Sequence, residues 1–298
     1  MIFASYLYLV ARIDRRKAQR FCPELSGVVL DVGCGTQPYR QYLPPQTTYV
    51  GLEADDRLSP DVVGDVLALP IRSGVADSAM CTMVLEHVSE PGAALVEINR
   101  ALRPGGRLYV TIPQSWGLHY QPYDFYRYTP YGIAHLLEKN GFRVDRTEQM
   151  GGLFSHFCVR LLDLLVDRVL FAACDRVGLH RGRYRLAALL CLPANLVLAP
   201  LTDALDRFDP LNAYGWAVLA TKVEDRGEDA GGEQDAAPRP APAALRRPEL
   251  ASFLACPACR GTLTEDDRAG SAGGVSCEAC GRTFAVANGV PLLLEARD

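Results

Sequence analysis

The sequence predicts an α/β fold built on a mainly parallel sheet, followed by a linker and a small metal-bound module. Three observations predict it. Strand-like and helix-like runs alternate over 27–145, residues 224–248 hold almost no large apolar side chains, and two Cys-x-x-Cys pairs stand near the C-terminus. The 298 residues are 49% hydrophobic and 22% charged, ordinary values for a globular chain. A formal net charge of −4 provides no overall electrostatic footprint for nucleic acid, which argues against that class of partner.

The elements follow in order. Val28–Val32 is a β-branched run ending in glycine, and Thr48–Glu53 and Ala79–Leu85 are further strand candidates. Between Pro91 and Leu102, Leu95, Ile98 and Leu102 mark one face of a helix, which Pro104-Gly105-Gly106 stops before a strand at Arg107–Ile112. Thr129-Pro130 reads as an N-cap with a first-turn proline. Ile133, Leu136 and Leu137 give that helix a buried stripe, and Asn140-Gly141 closes it. Trp216–Val223 reads as the last strand of a first domain spanning 1–223.

Residues 151–212 break the rhythm as a helical insertion. Leu153–Phe171 and Leu186–Leu201 are long apolar stretches flanking a basic turn with Arg176, Arg181, Arg183 and Arg185. The second stretch carries no charge, is shorter than the ~20 residues that cross a bilayer, and is expected to be interrupted by Pro193 and Pro200. The insertion fits either a lid over a pocket or peripheral contact with a membrane. The 224–248 stretch, rich in Glu, Asp, Gly, Ala and Pro, is expected to be a flexible linker spanning roughly 25–30 Å. The N-terminal run has its charges after the apolar residues and no small-residue cleavage site. Together with scattered single cysteines this predicts a cytoplasmic protein, with membrane association left open through 151–212.

Leu30-Asp31-Val32-Gly33-Cys34-Gly35-Thr36 is a Gly-x-Gly turn directly after a strand, where glycine lets the backbone approach a ligand. Glu53 lies about twenty residues on, at the end of the second strand, where an acid can accept from both ribose hydroxyls. Gly64-Asp65-Val66, Leu69-Pro70, Leu85-Glu86-His87-Val88 and Leu102-Arg103-Pro104-Gly105-Gly106 follow. In this succession, residues 25–145 resemble the class I S-adenosylmethionine methyltransferases of the type-11 group. The resemblance implies a Rossmann-like, mainly parallel seven-stranded sheet. It also implies an S-adenosylmethionine site: Gly33, Cys34 and Gly35 along the methionine part, Asp31 anchoring that loop, Glu53 on the ribose, Asp65 and Val66 at the adenine, and Leu85 nearby. Gln37 stands where many members carry a third glycine.

After the fourth strand no Asn/Asp-Pro-Pro-aromatic motif grips an amide or amine nitrogen, so an oxygen, carboxylate or carbon acceptor fits better. His87 is placed either as a general base or as a shaper of its loop. Trp116–Thr129 packs five tyrosine or phenylalanine residues among His119, Asp124 and Arg127, beyond the fifth strand. Open α/β sheets place ligands at such strand ends, which makes His87, His119 and Asp124 the catalytic candidates. Aromatics covering a sheet edge, with an Asp–Arg pair for structure, account for the same residues. The acceptor expected is a small molecule or a lipid- or glycan-linked one, with a tRNA or protein acceptor and a non-catalytic cofactor-binding membrane scaffold as alternatives.

Cys256, Cys259, Cys277 and Cys280 have the spacing of a structural zinc site, in which four thiolates leave no open position. Residues 249–298 form too small a core to fold securely alone, and zinc can supply about 10–16 kcal/mol. The two pairs, Gly261-Thr262-Leu263 and Asn288-Gly289-Val290-Pro291-Leu292-Leu293-Leu294 resemble the zinc-ribbon family of methyltransferase activators. That resemblance implies an intramolecular contact in which the ribbon stabilises or activates the first domain, by adding a strand or covering apolar surface. Seven acids against four Lys/Arg in 249–298 argue against phosphate binding by the ribbon.

Overall fold

The computed structural model describes residues 7–178, 180, 183–209, 212–225, 245, 247–265 and 274–294. Much of the expected linker, together with Arg181 of the basic turn, therefore lies outside the described residues. The chain opens with helix α1 (Tyr8–Phe21) and strands β1 (Val28–Val32), β2 (Thr48–Glu53), β3 (Val62–Gly64) and β4 (Ala76–Thr82). Helix α2 (Pro91–Ala101), strand β5 (Leu102–Pro113), helix α3 (Pro130–Lys139) and strand β6 (Phe142–Met150) follow. The insertion contains α4 (Leu153–Asp163), a π-helical segment at Leu164–Leu170, α5 (Phe171–Arg176) and α6 (Arg183–Leu205). It returns through β7 (Gly215–Lys222). The C-terminal module carries β8 (Leu263–Glu265), β9 (Gly274–Cys277), β10 (Thr283–Ala287) and β11 (Val290–Leu293).

Local chemistry explains the boundaries. Pro91 starts α2 at the position where a missing N–H costs nothing. Thr129 caps α3, its Oγ1 accepting from the Gly132 amide at 3.0 Å. The expected Arg107–Ile112 strand begins earlier. Leu102 already pairs with Ala76 and a register shift absorbs the Pro104-Gly105-Gly106 turn, so helix passes directly into strand. The Ala79–Leu85 candidate lies earlier as well, at Ala76–Thr82, and Leu85–His87 is a single 3₁₀ turn.

The sheet corrects the seven-stranded expectation. Among the described residues it has eleven strands, in the order β6-β7-β5-β4-β1-β2-β3-β11-β10-β9-β8. Its centre is parallel, whereas β7 runs antiparallel to both β5 and β6, and the ribbon strands pair antiparallel among themselves. The join is β11, which runs parallel to β3 with Leu292 opposite Val63 and Leu293 opposite Gly64. One contiguous core extends from Leu30, Val50 and Leu69 through Leu254, Cys256, Phe284 and Leu293. The edge of the first sheet is thereby covered by the chain's own C-terminal module, which removes an unpaired row of backbone groups.

Polar contacts reinforce the join. The Arg72 amide donates to the Phe253 carbonyl at 2.8 Å and the Ala255 amide to the Pro70 carbonyl at 3.0 Å. Arg247 donates to the Tyr49 carbonyl at 2.7 Å and pairs with Asp61 at 3.0 Å. Leu245 and Arg247, inside the stretch expected to be linker, are thus docked, and Leu245 is buried.

Candidate functional site

A cavity of about 700 Å³ opens at the C-terminal ends of the parallel strands, the place where open α/β sheets hold ligands. Gly33, Glu53, Asp65 and Val66 of the predicted cofactor set lie on its wall, with His87 and Tyr120 further round. The turn after β1 is shaped by hydrogen bonds to β2: the Gly33 and Cys34 amides donate to the Leu52 carbonyl at 2.9 and 3.0 Å. The Glu53 carboxylate accepts from the Gly35 amide at 3.0 Å and from the Ala54 amide at 2.8 Å. Asp65 caps the turn at 66–68, accepting from the Leu67 amide at 2.9 Å.

The other predicted residues stand behind this wall. Asp31 is buried and accepts from the Tyr49 hydroxyl at 2.7 Å, so it ties β1 to β2 and makes no hydrogen bond to the glycine loop itself. Cys34 is buried against Gly51. Leu85 sits in the core, its carbonyl accepting from the Tyr128 hydroxyl at 3.1 Å, while Val84 and Val88 line the cavity there. The architecture fits a nucleoside-containing ligand. A Cβ on Gly33 would come within 2.4 Å of Val84, Gly35 faces open space, and Glu53 presents an acceptor-only group at the wall.

The loop after β5 brings Tyr120 to the cavity. The Phe125 and Tyr126 amides donate to the Glu86 carbonyl at 2.8 and 3.2 Å, folding the aromatic segment over the turn after β4. His87 and His119 meet edge to face, ring centroids 4.7 Å apart, and Tyr120 lies against His87. His87 Nδ1 is 2.6 Å from the Tyr123 carbonyl, so Nδ1 carries the proton and Nε2 presents a lone pair. Burial pushes the His87 imidazole below its ordinary value, against the opposing pull of the Tyr123 carbonyl. Asp124 accepts from the His119 amide at 2.9 Å and forms a two-pronged pair with Arg127 at 2.6 and 2.9 Å, which holds its carboxyl well below the usual range. Its contacts are those of a loop pin, with its oxygens turned to Arg127 and His119.

Sequence reasoning does not place several wall and site residues, among them three from the ribbon and one buried acid. Pro257, Leu293 and Leu294 come from the ribbon and line the same cavity. Glu86, quoted only as part of a motif, is fully buried beside His87, and burial pushes its carboxyl up to about 7. Among described residues, none from 151–212 lines the cavity. The insertion packs instead on α1, through Leu9, Val159 and Ala199 and an Arg12–Asp203 pair at 2.7 Å. It reaches the loop after β5 through the His156 ring, edge-on to Trp116.

The four ribbon cysteines converge as their spacing predicts, with all four sulfurs within 4.8 Å of one another. Cys256 and Cys280 are 3.7 Å apart, and Cys259 and Cys277 3.4 Å. Tetrahedral coordination at a metal–sulfur distance of about 2.3 Å requires separations close to these.

The fold and cavity thus define a Rossmann-like domain, its cavity at the strand ends, with a cysteine-rich module on its sheet edge. Residues 30–110 match the family described as methyltransferase domain, and residues 247–289 the family described as Trm112p-like protein. The chain joins a domain of the first family to one of the second. It is 27% identical over 186 residues to an uncharacterized 37.1 kDa protein in transposon TN4556 of Streptomyces fradiae, covering 55% of this chain and 54% of that one. It is 30% identical over 98 residues to a tRNA (carboxymethyluridine(34)-5-O)-methyltransferase of Arabidopsis thaliana, covering 29% and 24%. The chain therefore spans about half, or less, of the length of these relatives. Similar solved structures include a complex of the Haloferax volcanii Trm112 methyltransferase activator with a methyltransferase (16% identity, 72% of this chain and 93% of that chain, TM-score 0.44). Another is the Burkholderia thailandensis 1,6-didemethyltoxoflavin-N1-methyltransferase with bound S-adenosylhomocysteine (15%, 70% and 78%, 0.44).

Proposed function

We propose that the chain transfers a methyl group from S-adenosylmethionine to a small or lipid- or glycan-linked acceptor, with its zinc-loaded ribbon stabilising the cofactor domain in cis. The observation that carries this reading is one cavity lined by Gly33, Glu53 and Asp65 together with His87 and Tyr120. When bound, the cofactor supplies an electrophilic methyl on a sulfonium. The protein's work is then to hold an acceptor in line and to take its proton. Glu53 would accept from the ribose hydroxyls, and Asp65 and Val66 would meet the adenine. His87, with Nε2 as its open nitrogen and neutral near pH 7, suits proton removal from an oxygen acceptor. Cys256, Cys259, Cys277 and Cys280 would hold the zinc, a closed structural site that takes no part in transfer.

Exposed apolar side chains on α4 and α6 support a lipid-linked acceptor or peripheral membrane contact. One helical stretch, Arg183–Phe208, has the length and composition of a membrane span, a test that core helices of soluble proteins also pass. A tRNA acceptor is the second reading, favoured by the name of the Arabidopsis relative and opposed by the net charge of −4.

The test is calorimetric titration of zinc-loaded protein with S-adenosylmethionine, beside a Glu53→Ala variant. Loss of even one hydrogen bond to a charged acceptor, about 1.5–3 kcal/mol, predicts at least roughly 10- to 100-fold weaker binding. No binding by folded wild-type protein would remove the enzyme reading and leave a scaffold.

A further inference from the structure

Glu86 is a buried acid whose two carboxylate oxygens both lack a hydrogen-bond partner among the described residues. Its side chain is 0% exposed. His87 Nε2 stands 3.8 Å from Oε1, beyond hydrogen-bond reach. The neighbouring cation, Arg127, is committed to Asp124. An ionised carboxylate left this way costs several kcal/mol, so the native protein must offset it with a proton or a cation.

The surroundings favour a cation. One carboxylate oxygen of Glu86 and one ring nitrogen each of His87 and His119 lie within 4.8 Å of one another. Both imidazoles are oriented by partners behind them. His87 Nδ1 donates to the Tyr123 carbonyl at 2.6 Å. His119 Nδ1 lies 3.2 Å from the Gly117 carbonyl and 3.4 Å from Asp124 Oδ2. Each Nε2 is therefore left as a lone pair, and a carbonyl or carboxylate behind a histidine is the usual support of a metal ligand. Asp124, the pin of this loop, then acts behind His119 and not on the acceptor. Two imidazoles and one carboxylate suit a divalent first-row transition metal and leave open coordination positions. His87 also faces the cavity, so those positions open where an acceptor enters.

We propose that Glu86, His87 and His119 bind one divalent transition-metal ion at the mouth of the cofactor cavity, with its open positions available to an acceptor oxygen. The acceptor part rests on the methyl-transfer reading; the metal site does not. With the metal bound, His87 Nε2 would serve as a ligand and no longer as a base; the metal would lower the pKa of a coordinated hydroxyl, which would lose its proton to solvent and be held beside the methyl donor.

The experiment uses full-length protein with its ribbon saturated by zinc, which manganese does not displace from thiolates. Manganese(II) is titrated in and free ion read by electron paramagnetic resonance, with bound zinc counted in parallel. The wild type should bind one manganese per chain. Glu86→Gln and His119→Ala should weaken it by more than about ten-fold while each retains the ribbon zinc. His119 lies in a partly exposed loop, so that variant keeps the test valid should the buried substitution unfold. A wild type that takes up neither manganese nor a second equivalent of zinc overturns the proposal, as does unchanged binding in His119→Ala. S-adenosylmethionine binding is measured on the same samples. Cofactor binding with neither manganese nor a second equivalent of zinc rejects the metal site and leaves the methyltransferase. Manganese without cofactor binding upholds the site and rejects the methyl-transfer reading.

Discussion

Arg260, in the ribbon's first knuckle, places a guanidinium nitrogen 2.8 Å from Glu97 Oε2 on α2, an oxygen that Arg100 already contacts at 3.0 Å. Arg260 also donates to the Leu69 carbonyl at 3.1 Å and to the Pro257 carbonyl at 3.0 Å. One side chain therefore links α2, the segment after β3 and the cysteine knuckle whose Pro257 lines the cavity. Arg260→Ala should cost about 1–2 kcal/mol in denaturant unfolding, less than for an orphaned buried charge because Arg100 still serves Glu97. It should also weaken cofactor binding through Pro257. Unchanged stability and affinity would show that the strand pairing alone holds the ribbon.

The glycine turn makes a sharper comparison. Gly33 has φ +71° and its missing Cβ would sit 2.4 Å from Val84 Cγ2, whereas Gly35, at φ +50°, has nothing within 4 Å of that position. Alanine at either position bears roughly 1–2 kcal/mol of left-handed strain. Only at Gly33 must the turn after β4 move as well, and that turn carries His87. Gly33→Ala is expected to lose cofactor affinity by more than about ten-fold and Gly35→Ala by less. Equal losses, measured by calorimetry, would place the constraint in the backbone alone.

What the sequence reveals depends on how local the cause is. Helix α2 was legible because Leu95 and Ile98 repeat at helical spacing, and α3 because Thr129 and Pro130 mark its start. The four cysteines were legible because one ion dictates their spacing. The parallel pairing of Leu292 with Val63 was not, since β11 reads as a short apolar run whose partner lies far along the chain. Glu86 carries no signal of its own in the sequence, because its isolation depends on the Phe125–Tyr126 backbone folding over it. Pro193 and Pro200 read as breaks in the apolar stretch, yet α6 runs through both. Each removes a hydrogen bond to the carbonyl four residues back, at Leu189 and Leu196. Those residues are exposed, so the released carbonyls fall on the outer face of the helix.

Asp31 sets a pH dependence. It is 1% exposed, and burial raises its carboxyl to about 7 against the pull of the Tyr49 hydroxyl. In the unfolded chain it titrates near 4. The folded state therefore binds this proton more tightly. Its contribution is complete below about pH 4 and is lost as pH rises through about 7. Asp31→Asn, neutral and similar in shape, should match the wild type near pH 4 and exceed it at pH 8 by up to roughly 4 kcal/mol. Denaturant midpoints of cofactor-free protein across this range decide the point. An identical slope in the variant would show that Asp31 does not titrate there.

The helical insertion exposes more apolar surface than its own packing requires. Leu189 is 74% exposed and Leu196 and Val197 65% each on α6, with Phe157 at 61% on α4. Scattered single leucines would need no explanation, but these lie on two helices that contact each other. Arg183 nearby is already paired with Asp175 at 3.1 Å, so the attraction to a membrane should come mainly from apolar burial and depend weakly on salt. Wild-type protein is expected to sediment with liposomes containing anionic lipid, and to do so still at high salt. Leu189→Glu with Leu196→Glu should abolish sedimentation while leaving S-adenosylmethionine binding intact, because neither residue lines the cavity. A wild type that stays in solution would turn the search for the acceptor toward soluble small molecules, and the apolar face would need a protein partner instead.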